Sequence, residues 1–130
     1  MTGYDRLLIS FDIDGTMEFG DPSGPISADL VVRLVERGII VGCASDKLRS
    51  GQAGLWGRHG VQPRFVGGKH HLLEVRQLFA ADRYVHVGDT EVDEHYAMLA
   101  GFEFLSVHGE IEAALNGFID GSTEVGQRHP

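Results

Sequence analysis

The chain is poor in cysteine, with Cys43 alone, and in tryptophan, with Trp56 alone. A single cysteine rules out an internal disulfide framework and fits a reducing, cytoplasmic compartment. Within the apolar stretch 39–44, Cys43 reads as a small core residue rather than a nucleophile. No apolar run approaches the roughly 20 residues of a membrane-spanning helix. No basic segment with a following apolar stretch and cleavage site opens the sequence, so neither a secretory signal nor a membrane partner is expected. Positive charge is also scarce: 11 Lys and Arg stand against 19 Asp and Glu, and 11 − 19 gives a net −8. That balance lacks the footprint of a nucleic-acid binder. The histidines and the cysteine show no zinc spacing, and the aromatics form no basic stripe on which bases could stack.

What is present is an ordinary soluble composition, 42% hydrophobic over 130 residues, enough for one domain (1–130) with a single core. The first apolar run, Leu7 to Phe11, reads as a strand buried on both faces, the habit of a parallel sheet. It runs into Asp12-Ile13-Asp14-Gly15-Thr16. Side chains at i and i+2 share a face of a strand, so Asp12 and Asp14 are expected to point the same way. Two such carboxylates need a positive partner, and a hard cation with oxygen ligands is the usual one. An Asp-rich turn closed by Gly15 is the plainer reading of these five residues alone.

Met17 to Pro25 is irregular and rich in Gly and Pro, a candidate flap. Ser27 then reads as the N-cap of a helix carrying Leu30, Val31, Leu34 and Val35, ended by Gly38. A second strand over Ile39 to Ala44 leads into Ser45. From Lys47 to Gly60 the pattern is poor: Leu48, Leu55 and Trp56 can line a short helix, but Gly51, Gly54 and Gly57 argue against it. Trp56 exposed there would indicate a subunit contact; buried, it is core. A short strand is expected at Arg64 to Val66, and a helix from Lys69 with Leu72, Val75 and Phe79 inward. Tyr84 to Val87 reads as a strand before Gly88-Asp89-Thr90. Val92, Tyr96 and Leu99 mark the next helix, Phe102 to Val107 the last strand, and Ile111, Ala114 and Leu115 the last helix. Residues 117–130 are expected to form a flexible tail. Alternating strands and helices predict an α/β fold: a three-layer, Rossmann-like, doubly wound parallel sheet of about five strands, with no separate cap domain. Ligands in such sheets bind beyond the carboxyl ends of the strands. Asp12, Asp14, Ser45 and Asp89 all follow strands.

In kind and order, Asp12-Ile13-Asp14-Gly15-Thr16, Ser45, Lys69 and Gly88-Asp89-Thr90-Glu91-Val92-Asp93 resemble the four motifs of the haloacid dehalogenase-like (HAD) superfamily. The resemblance covers residues 6–107, and the interval between first and last motifs leaves little room for an inserted cap. It implies a capless or minimal-cap Mg²⁺-dependent phosphatase working through an aspartyl-phosphate. Asp12 is then the nucleophile and Asp14 the acid and base. Ser45 and Lys69 hold the phosphate of a phosphorylated substrate, whether small molecule or macromolecule. Asp12, Asp89 and the main-chain carbonyl of Asp14 hold Mg²⁺, with Asp93 orienting the groups around it. An open site of this kind suits a bulky substrate, or a homo-oligomer in which a second subunit supplies the missing wall.

Plainer readings stand beside these. Thr90 to Asp93 also fits a helix capping box, Ser45 can close a turn through Asp46, and Lys69 can be an exposed first-turn lysine. His86 reads as a histidine satisfied within the packing, and His70 and His71 as solvated. Two rival functions remain: a receiver-type phosphoacceptor domain, and a HAD-like module that binds phosphorylated ligands without catalysis. A P-loop fails, because Gly68-Lys69 is followed by His70 and Pro63 stands where the first Gly belongs.

Overall fold

In the computed structural model, which describes residues 6–120, strands and helices alternate along the chain. The elements are β1 (Leu7–Phe11), α1 (Ala28–Glu36), β2 (Ile40–Ala44), α2 (Arg49–Arg58), β3 (Val66–Gly67), a 3₁₀ turn (Lys69–His71), α3 (Leu72–Leu78), β4 (Arg83–Gly88), α4 (Glu91–Ala100), β5 (Glu103–Ser106) and α5 (Ile111–Asp120). All neighbouring strands are parallel, in the order β3-β2-β1-β4-β5. The expected three-layer, Rossmann-like α/β architecture is therefore present.

β1 is central and buried along its length, and its alternation feeds two cores. Leu7, Ile9 and Phe11 enter one, with Leu30, Val31 and Leu34 of α1, Trp56 of α2, and Leu115 and Phe118 of α5. Leu8 enters the other, with Leu72 of α3, Ala97 and Ala100 of α4, and Phe102. Ser10 shares the face of Leu8 and pairs in register with His86. Each fully buried aliphatic side chain contributes about 1.5–3 kcal/mol relative to exposure.

α1 starts as expected: the Ser27 hydroxyl accepts from the Leu30 amide at 3.2 Å. Ser27→Ala is expected to cost about 1 kcal/mol, read as a lower urea midpoint with an unchanged m-value. Val35 lies outside the buried stripe, at the helix's exposed edge.

The poorly patterned stretch 47–60 contains a full helix, α2. Its buried residues are Gln52 and Trp56, one turn apart, while Leu48 is 81% exposed. Tertiary contacts hold it: the Trp56 ring meets Phe11 and Phe19, with centroids 6.0 and 5.0 Å apart. Trp56 is core, not a subunit contact. The third strand lies slightly later than expected, although its ladder hydrogen bonds already begin at Arg64.

α4 faces the other way from the reading on Val92 and Leu99, which are 50% and 66% exposed. Asp93, Ala97 and Ala100 are its buried residues. Asp93 is pinned to His86 on the sheet beneath, and the two alanines let the helix lie close. The expected tail also needs correcting: α5 continues through 117–120, with Phe118 buried and Arg83 stacked on its ring at 5.3 Å. The remainder of that expectation, 121–130, lies outside the described residues.

Candidate functional site

Strand order reverses between β1 and β4, which opens a crevice at their carboxyl ends. Asp12 follows β1 and Asp89 follows β4, and the Asp12 amide donates to the Val87 carbonyl at 3.0 Å. Ser45 follows β2, and Lys69 follows β3 after Gly68. Four segments distant in sequence thus converge on one edge of the sheet.

Asp12, Asp89 and Asp93 each direct a carboxylate oxygen to one place, all within 4.8 Å of one another. Gly15, at φ +74°, is what lets Asp89 approach: a Cβ there would overlap its carboxylate. The Asp14 carboxylate is not part of this group. β1 has ended at Phe11, so the strand's two-residue alternation no longer governs residues 12–14. Asp14 Oδ1 instead accepts from the Asp21 amide at 3.0 Å and faces Lys47 Nζ at 3.5 Å. Its main-chain carbonyl, the atom the resemblance gives to the metal, accepts no hydrogen bond among the described residues.

The 17–25 stretch is no loose flap. Gly15 N bonds Pro22 O at 2.6 Å, Gly24 N bonds Met17 O at 2.9 Å, and Ile26 N bonds Thr16 O at 3.1 Å. Met17 and Ile26 are fully buried beneath. The loop closes on itself and delivers the Asp21 amide to Asp14.

Lys69 is buried, with Nζ 3.1 Å from Asp12, 3.3 Å from Asp93 and 3.7 Å from the exposed Asp46. Burial works against its charge, but Asp12 and Asp93 outweigh that and raise its pKa above the usual lysine value. The exposed-lysine reading fails. The two carboxylates are unequal. Asp93 receives five donors: His86 Nε2, Lys69 Nζ, the amides of Asp89 and Thr90, and Thr90 Oγ1. Burial pushes its pKa up, yet these bonds, that of His86 foremost, bring it down to about 2. Among the described residues Asp12 has only Lys69 and the Ile13 amide. Burial, and then the charge of Asp93, push it up to about 7. A proton held by the pair therefore sits on Asp12. Asp89 is raised as well, by burial first and Asp93 second.

Asp93 thus closes the expected capping box with Thr90 and also pairs with Lys69. His86 is fully buried and satisfied, as expected, by Ser10 Oγ at 3.0 Å and Asp93 at 2.8 Å. Asp93 only accepts, so Nε2 carries hydrogen. These partners were hidden in the sequence, where the one signal was a polar residue in each of two buried, adjacent strands. Ser45 is buried and accepts from the Lys47 amide at 3.2 Å, which closes a turn and leaves its hydroxyl hydrogen free to donate.

Gln52 also escaped the sequence reading. Fully buried, its amide donates to the carbonyls of Ser45, Lys47 and Gly67, at 3.3, 2.7 and 3.1 Å, and accepts from the Gly67 amide at 3.2 Å. It ties the Ser45 turn to the strand that leads to Lys69. Gln52→Leu fills the space without the bonds, and is expected to cost about 2 kcal/mol in urea unfolding. Cys43, its thiol pushed up to about 12 by burial, takes no part as a nucleophile.

No protein-family model, curated protein or solved structure matches this chain. The donor set itself is informative. Hard carboxylate oxygens converge, and burial and then the charge of Asp93 raise Asp12 and Asp89, which is the environment a small divalent cation relieves.

Proposed function

We propose that this protein is a Mg²⁺-dependent phosphomonoester phosphatase of the HAD type. The observation that carries the reading is Asp12: a buried carboxylate at the switch-point crevice, 3.1 Å from a buried lysine, in a cluster of hard oxygen donors. Phosphoryl transfer needs an in-line nucleophile, neutralisation of the equatorial oxygens and a proton for the leaving group. Asp12 attacks phosphorus as the bond to the leaving oxygen breaks, and Asp14 gives that oxygen its proton. A water, its proton taken by Asp14, then attacks the aspartyl-phosphate; the bond to Asp12 breaks and phosphate leaves. Ser45 Oγ–H and Lys69 Nζ hold phosphate oxygens throughout. Mg²⁺ would be held by Asp12, Asp89 and the Asp14 carbonyl, and would supply charge neutralisation at the transferring group.

The receiver-type alternative loses ground on topology, since that fold has the order 2-1-3-4-5 and this sheet has 3-2-1-4-5. The non-catalytic alternative expects stabilisation by phosphorylated ligands without turnover. Hydrolysis of aryl and alkyl phosphomonoesters, with Mg²⁺ and with a chelator, tests the proposal. Steady Mg²⁺-dependent release of phosphate is expected; a folded, metal-binding protein that turns over no member of the panel overturns it.

A further inference from the structure

A cleft of about 180 Å³ lies beside β3, floored by Ala44, Phe65 and Gly67 and edged by Arg49, His71 and Glu74. We propose that Arg49 and His71 form a second anion subsite there, which makes the preferred substrates phosphomonoesters bearing a further carboxylate or phosphate. This rests on the phosphatase reading and adds a substrate class to it.

The argument starts from Arg49, the first residue of α2. Its Nη2 lies 3.2 Å from His71 Nδ1. A guanidinium only donates, so Nδ1 accepts and the neutral ring carries its hydrogen on Nε2. The pair therefore presents N–H donors on both members beyond the bond they share. Among the described residues Arg49, like most of the other arginines, has no carboxylate within ion-pair distance, but it is the arginine that lines this cleft and is bonded to a histidine ring. In a chain of net charge −8, an unpaired guanidinium braced by a histidine is a place left for an incoming anion. Arg suits that task, since its planar fork matches carboxylate and phosphate.

The location links the pair to the reaction. His71 ends the 3₁₀ turn that Lys69 begins. The Ser45 amide bonds the Gly67 carbonyl at 2.9 Å, and Ala44 pairs with Gly67. The cleft floor thus lies one strand spacing, about 4.8 Å, from the strand that delivers Ser45. A Cβ on Gly67 would lie in ordinary contact, 3.7 Å from Arg49 Nη2 and 3.8 Å from His71 Nδ1, so this glycine floor faces both members of the pair. Ala44 and Gly68, which line the cleft, immediately precede Ser45 and Lys69 in the chain, which brings the phosphate position and Arg49 within reach of one small substrate. Glu74 lines the same cleft without pairing to Arg49 among the described residues, which sets an acceptor for ligand hydroxyls beside the anion donors.

Matched substrate pairs test this. One is 3-phosphoglycerate against glycerol 3-phosphate, for a carboxylate; the other is fructose 1,6-bisphosphate against fructose 6-phosphate, for a second phosphate. The ratio of kcat/KM, the member with the second anionic group over the member without it, is expected to be at least about tenfold in one pair. In Arg49→Met, an exposed substitution that keeps the apolar stem, the ratio is expected to fall close to one. A ratio near one in the wild type, or one that survives Arg49→Met, overturns the subsite. If no phosphomonoester is turned over, the phosphatase reading has failed, and the subsite is judged by calorimetric binding of 3-phosphoglycerate. Binding lost in Arg49→Met then sustains it; equal binding, or none in the wild type, overturns it.

Discussion

Asp12→Asn is expected to reduce Mg²⁺-dependent turnover by at least about 10³-fold while making the metal-free protein more stable at pH 8. Activity falls because the amide keeps the shape of the carboxylate but cannot form the acyl phosphate. Stability rises because the wild-type carboxylate is held at about 7, above its ordinary 3.8, by burial and by Asp93. Between those two values the folded state holds a proton that the unfolded chain has released, so wild-type stability falls as pH rises through roughly 4 to 7. Above that window the full cost is present; below it the cost vanishes. The amide also forfeits the 3.1 Å pairing with Lys69, which offsets part of the gain. The net expectation is about 1–2 kcal/mol, or a rise in Tm of roughly 4–8 °C. Thermal unfolding of both proteins from pH 4 to pH 8 in a chelator shows whether the gap opens with rising pH. Equal melting across the range would mean that Asp12 is not an ionised group confined in the interior.

The same carboxylate shows why parts of the site were legible from the amino acids. A parallel strand buried on both faces is written as a continuous apolar run, so Asp12 and Asp89 announced themselves as charges placed where such runs stop. Ser45 did so for the same reason. What escaped had no periodic signature. α2 buries a glutamine and a tryptophan, and its three glycines suppress helix propensity, so only the contacts of Gln52 with Ser45 and Gly67 and of Trp56 with Phe11 reveal why it forms. α4 was oriented by its large apolar residues, but its inward face is Asp93, Ala97 and Ala100. Here a buried ion pair sets the rotation of the helix, and the rule that apolar residues lie inside gives the wrong face. Asp14 diverged from Asp12 in its partners because a two-residue period belongs to a strand, and the strand had ended one residue before the first aspartate.

Lys69→Met should give the largest loss of stability among the site variants. Lys69 Nζ lies between two carboxylates that are almost wholly buried. Removing one member of a buried charge cluster leaves the others uncompensated, at a cost of about 3–5 kcal/mol. The sign of the pH dependence follows: without the ammonium, Asp12 rises further above about 7, so the folded variant retains a proton that the wild type releases, and the deficit, level near pH 5, grows as pH rises from about 7 to 8. Mg²⁺ is expected to recover part of the deficit, since a cation held by Asp12, Asp89 and the Asp14 carbonyl, beside Asp93, replaces part of the missing charge; it should not recover turnover, which lacks the contact to phosphate. Lys69→Arg separates charge from fit. It keeps the positive charge but brings a planar fork where a point charge sits between two oxygens, so it should restore more stability than activity. Melting with and without Mg²⁺ at pH 5 and pH 8, beside phosphate release, reads all of this in one series. If Lys69→Met melts with the wild type at both pH values, then Asp12 and Asp93 are neutralised by something other than this lysine, and its place against the phosphate goes with it.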